Sequence, residues 1–214
     1  MFEEILSKNA KNSLAVLGES KLLKNAYMAG GTALALQIGH RFSYDFVFFT
    51  SEEFDEKILI QRIKKNIPDF QLEKLEWGTI LGNIKETRFS LFFYSYPLLF
   101  KTHNFSGVNI ADIKDIASMK IAAISDRGTK KDFIDLYFIV RINKLLSLQE
   151  ILGLYDKKFK SLEQNKIHIL KSLHYFDDAE KGEMPKMLTD VKWKEVKKFF
   201  ETEVKKVSMD FFSK

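Results

Sequence analysis

Two runs of bulky, strand-forming residues constrain this chain most. Tyr44-Asp45-Phe46-Val47-Phe48-Phe49-Thr50 and Arg88-Phe89-Ser90-Leu91-Phe92-Phe93-Tyr94 carry aromatic side chains at most positions. A strand that is apolar on successive residues has no face to give to water, so the first run predicts a strand buried on both sides. The second is the strongest strand signal in the sequence. It closes a group: Phe70, Leu72 and Leu75 suggest one strand, Thr79–Ile84 a second, and a turn near Lys85-Glu86 leads into Thr87–Tyr94. The remaining periodicity is helical. Residues 2–24 place Phe2, Ile5, Leu6, Leu14 and Leu17 at helical steps, with Gly18 as a weak point or break. A second helix follows Gly30-Gly31-Thr32 and ends at Gly39. A third, over 52–66, closes at Pro68, with Ile58, Leu59, Arg62 and Ile63 on its inner stripe. After Pro97 the pattern turns helical again through Ile110, Ile113, Ala117, Lys120, Ile121 and Ile124, and Gly128 stops it. Lys130–Ile142 starts another helix. The rest, 144–214, reads as helix around a polar loop at Asp177–Pro185.

With only three prolines in 214 residues, helix has few breakers to stop it. The organisation expected is a mixed α/β core over residues 1–142 and a helical region over 143–214, with no linker between them. Twenty Phe, seven Tyr and two Trp can bury a large core, which excludes whole-chain disorder. The absence of cysteine excludes disulfide scaffolds and thiolate metal sites and fits a cytoplasmic address. No apolar stretch approaches the roughly 20 residues that cross a bilayer, so no membrane association is expected. The first residues lack the basic and apolar blocks of a signal peptide. The net charge of +5 permits a polyanionic partner without demanding one.

Four places could carry chemistry. Gly30-Gly31-Thr32 sits where a short strand meets a helix. Glycine admits a ligand close to the backbone, and a helix N-terminus offers free N–H groups to a phosphate; the alternative is a tight turn capped by Thr32. Asp45, inside an otherwise apolar strand, needs a partner if buried. That partner would be a metal or an ion pair with Arg41 or Arg88. Lys120 falls on the apolar stripe of its helix, where it either snorkels to the surface or holds an anion in a cleft. Asp132 and Asp135 follow Gly128, with Arg127, Lys130 and Lys131 close by in sequence. They either stabilise a helix N-terminus or serve a site. The four histidines show no metal-ligand spacing. The lysines of 192–206 read as a solvated face or, alternatively, an RNA-facing stripe.

Three segments together resemble the AbiEii/AbiGii toxin family of polymerase-β-like nucleotidyltransferases. They are Ala29-Gly30-Gly31-Thr32-Ala33-Leu34-Ala35-Leu36, Gly39-His40-Arg41-Phe42-Ser43-Tyr44-Asp45-Phe46, and Asp112 to Lys120 continuing through Arg127-Gly128-Thr129-Lys130-Lys131-Asp132-Phe133-Ile134-Asp135-Leu136. The resemblance implies an α+β fold: a nucleotidyltransferase-like mixed sheet flanked by helices, with a mainly helical C-terminal part. It implies transfer of a nucleotide from an NTP, with Mg²⁺, to an acceptor such as tRNA or another RNA. Such a chain would be a toxin of a toxin–antitoxin or abortive-infection system, restrained by a cognate antitoxin protein. Carried over by motif, Gly30, Gly31 and Thr32 would meet the triphosphate, with Arg41, Ser43, Arg127 and Lys131 as further phosphate contacts. Asp45 would be the metal ligand and Lys120 would neutralise phosphate charge. Asp132 or Asp135 would orient the acceptor or Lys120. Two positions depart from the pattern. The family has a second acid two residues beyond the first, where this chain has Val47, and a third on a later strand, near Ser90. A catalytically degraded relative that binds nucleotide, RNA or a partner protein is the alternative these departures raise.

Overall fold

The computed structural model describes residues 1–160 and 163–212; the other four residues of the expected helical region lie outside the described residues. The chain divides into two compact units, Met1–Asp112 and Ile113–Lys214. Among the described residues all the strands fall in the first unit, and the change to helix alone comes at residue 113, whereas the sequence pattern places the end of the mixed core after residue 142.

The first unit is a mixed seven-stranded sheet with helices. In chain order it runs α1 (Lys8–Ser20), β1 (Tyr27–Ala29), α2 (Gly30–Ile38), β2 (Phe46–Thr50), α3 (Glu56–Asn66), β3 (Phe70–Glu76), β4 (Thr79–Ile84), β5 (Thr87–Phe93), β6 (His103–Phe105) and β7 (Val108–Ile110). The strands lie in the order β3-β4-β5-β2-β1-β7-β6. β2 runs parallel to β5 and β1 parallel to β7, while the other pairs are antiparallel.

Period-two alternation gives this sheet two unlike faces. Register places Met28, Phe48, Leu91 and Ile80 side by side on one of them, with Phe46 and Phe89 one step along, and all six are buried. α1 packs against β5, and α3 against β3 and β4. The Ser13 hydroxyl donates to the Ile84 carbonyl. The opposite face carries Val47, Phe49, Ser90, Phe92 and Leu81 and is half-buried. β2 is therefore covered fully on one side only, where its aromatic composition predicts burial on both.

Several local expectations are corrected. The first helix does not run from residue 2. A short 3₁₀ turn, Glu3–Ile5, precedes Ser7, whose side chain accepts from the Ala10 N–H and starts α1. Gly18 does not break the helix. It sits against the turn between β6 and β7, where a Cβ would strike the Ser106 carbonyl oxygen. The third helix starts at its Asp55 cap and buries Ile60 and Ile63, leaving Ile58 57% exposed. β6 and β7 fall where the pattern after Pro97 reads as helix. Each has three residues, too few to show a period, and their turn is made by Ser106 (φ 50°) and Gly107 (φ 79°), the left-handed geometry of a tight hairpin.

The second unit is helical: α4 (Ile113–Asp126), α5 (Lys130–Tyr137) continuing into a π-helical turn (Phe138–Ile142), α6 (Leu148–Phe159), α7 (Glu163–Ser172), α8 (Asp177–Glu180) and α9 (Trp193–Phe212). Gly128, at φ 51°, ends α4. Ser147 and Glu150 form a reciprocal capping box at the start of α6. Phe133 packs among Phe176, Trp193 and Phe200, which ties α5 to α9. Among the described residues no helix is long and apolar enough to cross a membrane.

Candidate nucleotide site

The first unit brings six of the expected residues to the junction of β1 and α2. Gly30 has φ 79°, a conformation that a side chain disfavours, and it turns the chain from strand into helix in one residue. Gly31 lies under the Arg41 guanidinium and the Ser43 hydroxyl, so that a Cβ there would collide with Arg41. Arg41 is 4% exposed and donates to the Phe42 carbonyl at 3.1 Å. Thr32 does not cap the helix. Its hydroxyl lies 2.7 Å from the Asp45 carbonyl and 2.8 Å from Ser43 Oγ. A carbonyl can only accept, so Thr32 donates to Asp45 and Ser43 donates to Thr32. This relay ties the 41–45 loop to the first turn of α2.

Asp45 stands apart from its expected setting. It precedes β2 rather than lying in it, and it is exposed. Burial therefore does not oblige it to find a counter-charge. Two residues on, Val47 sits beside Ser90 in the parallel β2–β5 pair and beside Ala29 in the β1–β2 pair. The two positions where the family pattern has acids are thus cross-strand neighbours on one face, filled by a hydrocarbon and a hydroxyl. A divalent centre prefers several hard oxygen ligands. Among the described residues no three His, Cys, Asp or Glu side chains gather to hold a metal. This donor set, with one carboxylate, does not fit a resident two-ion centre.

The second unit gathers the others. Lys120 is 5% exposed. Its ammonium lies 2.8 Å from Asp132 Oδ1 and 2.6 Å from Asp135 Oδ2. Asp132 also receives the Thr129 hydroxyl at 2.7 Å and Arg127 Nε at 3.1 Å. Burial pushes the Asp132 carboxyl up, but the charge of Lys120 and the hydrogen bond and charge of Arg127 outweigh it and hold the group at about 2. The hydrogen bond to Asp132 raises Arg127 in turn, against partial burial. Asp135 pairs with Lys120 and not with Lys131, which faces outward from α5 and is exposed. Lys120 neither snorkels nor lies open in a cleft: it bridges α4 to α5. The cation of this group that reaches solvent is Arg127, its side chain 61% exposed.

One buried pair escaped the sequence reading. Lys158 Nζ meets Asp115 Oδ1 at 2.9 Å with both side chains at 0% exposure, joining α4 to α6. The signal was there: Lys158 continues the stripe of Leu148, Ile151 and Tyr155 at helical steps.

Comparison with known proteins agrees with this architecture. An uncharacterised protein of Aquifex aeolicus (strain VF5) is 37% identical over 211 residues, covering 94% of this chain and 96% of that one. Among solved structures, JHP933 from Helicobacter pylori superposes with a TM-score of 0.53 at 19% identity, covering 97% of each chain. MenT4, a nucleotidyltransferase toxin from Mycobacterium tuberculosis H37Rv, gives a TM-score of 0.50 at 14% identity, covering 93% of this chain and 86% of that one. At these identities the structural likeness speaks to the nucleotidyltransferase fold. The sequence profile described as "Nucleotidyl transferase AbiEii toxin, Type IV TA system" matches residues 13–99 and 91–211, and the chain belongs to that family.

Proposed function

We propose that this protein transfers a nucleotide from an NTP to a hydroxyl of an RNA acceptor, as a toxin held in check by a cognate antitoxin. The observation that carries this reading is the turn at Gly30-Gly31-Thr32. It combines a helix N-terminus, a side-chain-free backbone beneath the buried Arg41, and a hydroxyl relay that fixes the Asp45 loop beside it. Such a turn suits a polyphosphate because unpaired N–H groups and the helix dipole favour negative charge. In the reaction, the acceptor oxygen bonds to the α-phosphorus. The bond from that phosphorus to the oxygen bridging the β-phosphate breaks, pyrophosphate leaves with the electron pair, and the acceptor proton passes to water. The role left to the polypeptide is alignment and charge compensation. Gly30 and Gly31 seat the phosphates, and Arg41 lends charge beside them. Asp45 is the carboxylate proposed to face the cation that accompanies the triphosphate. In the second unit, taken by itself, Arg127 and Lys131 are exposed cations able to pair with an anion. Lys120, matched by Asp132 and Asp135, is proposed to fix the helix geometry that presents Arg127.

The test is incubation with each labelled NTP, Mg²⁺ and total RNA, expecting label in the RNA. No transfer, and none gained by Val47→Asp, would overturn the reading. A second reading rests on the Val47–Ser90 neighbours: a member of the fold that binds nucleotide without turning it over. Calorimetry with ATP would support it by showing binding that is indifferent to Mg²⁺ in a protein that labels nothing.

A further inference from the structure

The half-buried face of the first unit's sheet carries a line of aromatic rings that starts at Tyr27 and Phe49, two residues along the strands from the Ala29–Val47 pair beside the turn. Tyr27 stacks on Phe49 with ring centres 5.9 Å apart and planes at 29°. Phe49 meets Phe92 at 5.8 Å and Tyr94 at 5.1 Å, and Tyr94 meets Tyr96 at 5.2 Å. Tyr27, Phe49 and Phe92 are register partners on β1, β2 and β5, so their rings share one face. Exposure rises along the line: Tyr27 is 6% exposed, Phe49, Phe92 and Tyr94 are half-buried, and Tyr96 is 41% exposed. A sheet face turned to water is normally polar, whereas this one offers flat apolar surface.

We infer that this face is the base-stacking platform of the nucleotide site, with Phe49 at its centre. The inference rests on the reading that a triphosphate sits on the Gly30–Gly31 turn. Val47 is the residue next to that turn, since a Cβ on Gly30 would lie 3.9 Å from its side chain. Phe49 lies two residues further along the same strand face, about 6.6 Å away. That step suits the reach from the α-phosphate of a nucleotide to its base. Aromatic rings stack on every base, so the platform confers affinity for nucleotides over bare polyphosphate and little preference among bases. It also gives the Gly-Gly-Thr turn the second element that an anion site alone lacks, a means of choosing a nucleotide over inorganic phosphates.

The experiment is calorimetry of wild type and Phe49→Leu with two ligands, ATP and inorganic tripolyphosphate, both with Mg²⁺. Wild type should bind both, ATP more tightly. Phe49→Leu should lose about tenfold in ATP affinity, the size of one lost base stack, while tripolyphosphate affinity stays within about twofold. An unchanged ATP affinity, or equal losses for both ligands, overturns the platform and leaves the phosphate turn standing. If wild type binds neither ligand, the nucleotide site itself fails. Should Phe49→Leu not fold, Phe49→Trp replaces it: emission from the new indole should be quenched by ATP and not by tripolyphosphate, and equal response to the two would refute stacking.

Discussion

Replacing Asp132 by Asn tests whether the buried charges of the second unit hold α4 to α5. The carboxylate is 1% exposed and receives Lys120, Thr129 and Arg127. Held at about 2 against an ordinary value of 3.8, it is worth about 2 kcal/mol to the folded state, at about 1.4 kcal/mol per pH unit. The sign follows from linkage. A carboxyl depressed by folding stabilises the protein fully above its unfolded value, and that stabilisation is lost as pH falls through the folded one. Wild type should therefore lose about 2 kcal/mol from this group between pH 4 and pH 2. In Asp132→Asn the group cannot titrate, and Lys120 keeps Asp135 as its partner, so the variant should fold and start from a lower plateau. Urea unfolding of both proteins from pH 6 to pH 2 reads the difference directly. The stability gap should be flat above pH 5 and close by about 2 kcal/mol in the acid limb. A gap that stays constant down to pH 2 would show that Asp132 is not a depressed, ion-paired carboxylate and would refute the reasoning.

Four further outcomes are expected. Lys158→Met should cost about 3–5 kcal/mol, because it strands the buried Asp115 carboxylate, and adding Asp115→Leu should recover most of that loss; a double variant no better than the single would show that the pair itself supplies the stability. Thr32→Val should cost about 1–2 kcal/mol in thermal or urea unfolding by cutting the relay to Ser43 and Asp45, and no change would mean the loop is held by other bonds. Gly31→Ala should weaken tripolyphosphate binding about tenfold by displacing Arg41, whereas Lys131→Ala, on the exposed side of α5, should leave stability within about 0.5 kcal/mol; calorimetry and melting curves check each.

Much of this was legible because long elements announce themselves. Three strands of six or seven residues, β3 to β5, and the turn at Lys85 showed in composition, as did α4, whose end was marked by Gly128. The Gly-Gly-Thr turn was legible because glycine pairs before an apolar helix have few uses. What the sequence hid depends on depth. Asp45 lies at the mouth of an apolar run and Asp135 within one, yet the first is exposed and the second buried. No local pattern separates a residue just before a strand from the strand's own first residue. Lys120 posed the reverse problem. Its place on an apolar stripe was visible, but the carboxylates that satisfy it come from the next helix. β6 and β7 were missed because three-residue strands are fixed by the partners they find, and β7 finds its partner 82 positions upstream in β1.

That last pairing has a consequence for how the unit is made. Met28 pairs in parallel with Ile110, and Gly18 of α1 must receive the Ser106–Gly107 turn at backbone distance. The earliest helix of the sheet unit thus waits for the latest hairpin. A ribosome must deliver the chain as far as Ile110, and the chain must close the 82-position span from Met28 to Ile110, before β1 acquires its second neighbour. Distant closures of this kind slow folding, so the nascent polypeptide exposes an unfinished β1 edge until β7 (Val108–Ile110) has been made, when chaperone capture or misassociation competes with completion of the sheet.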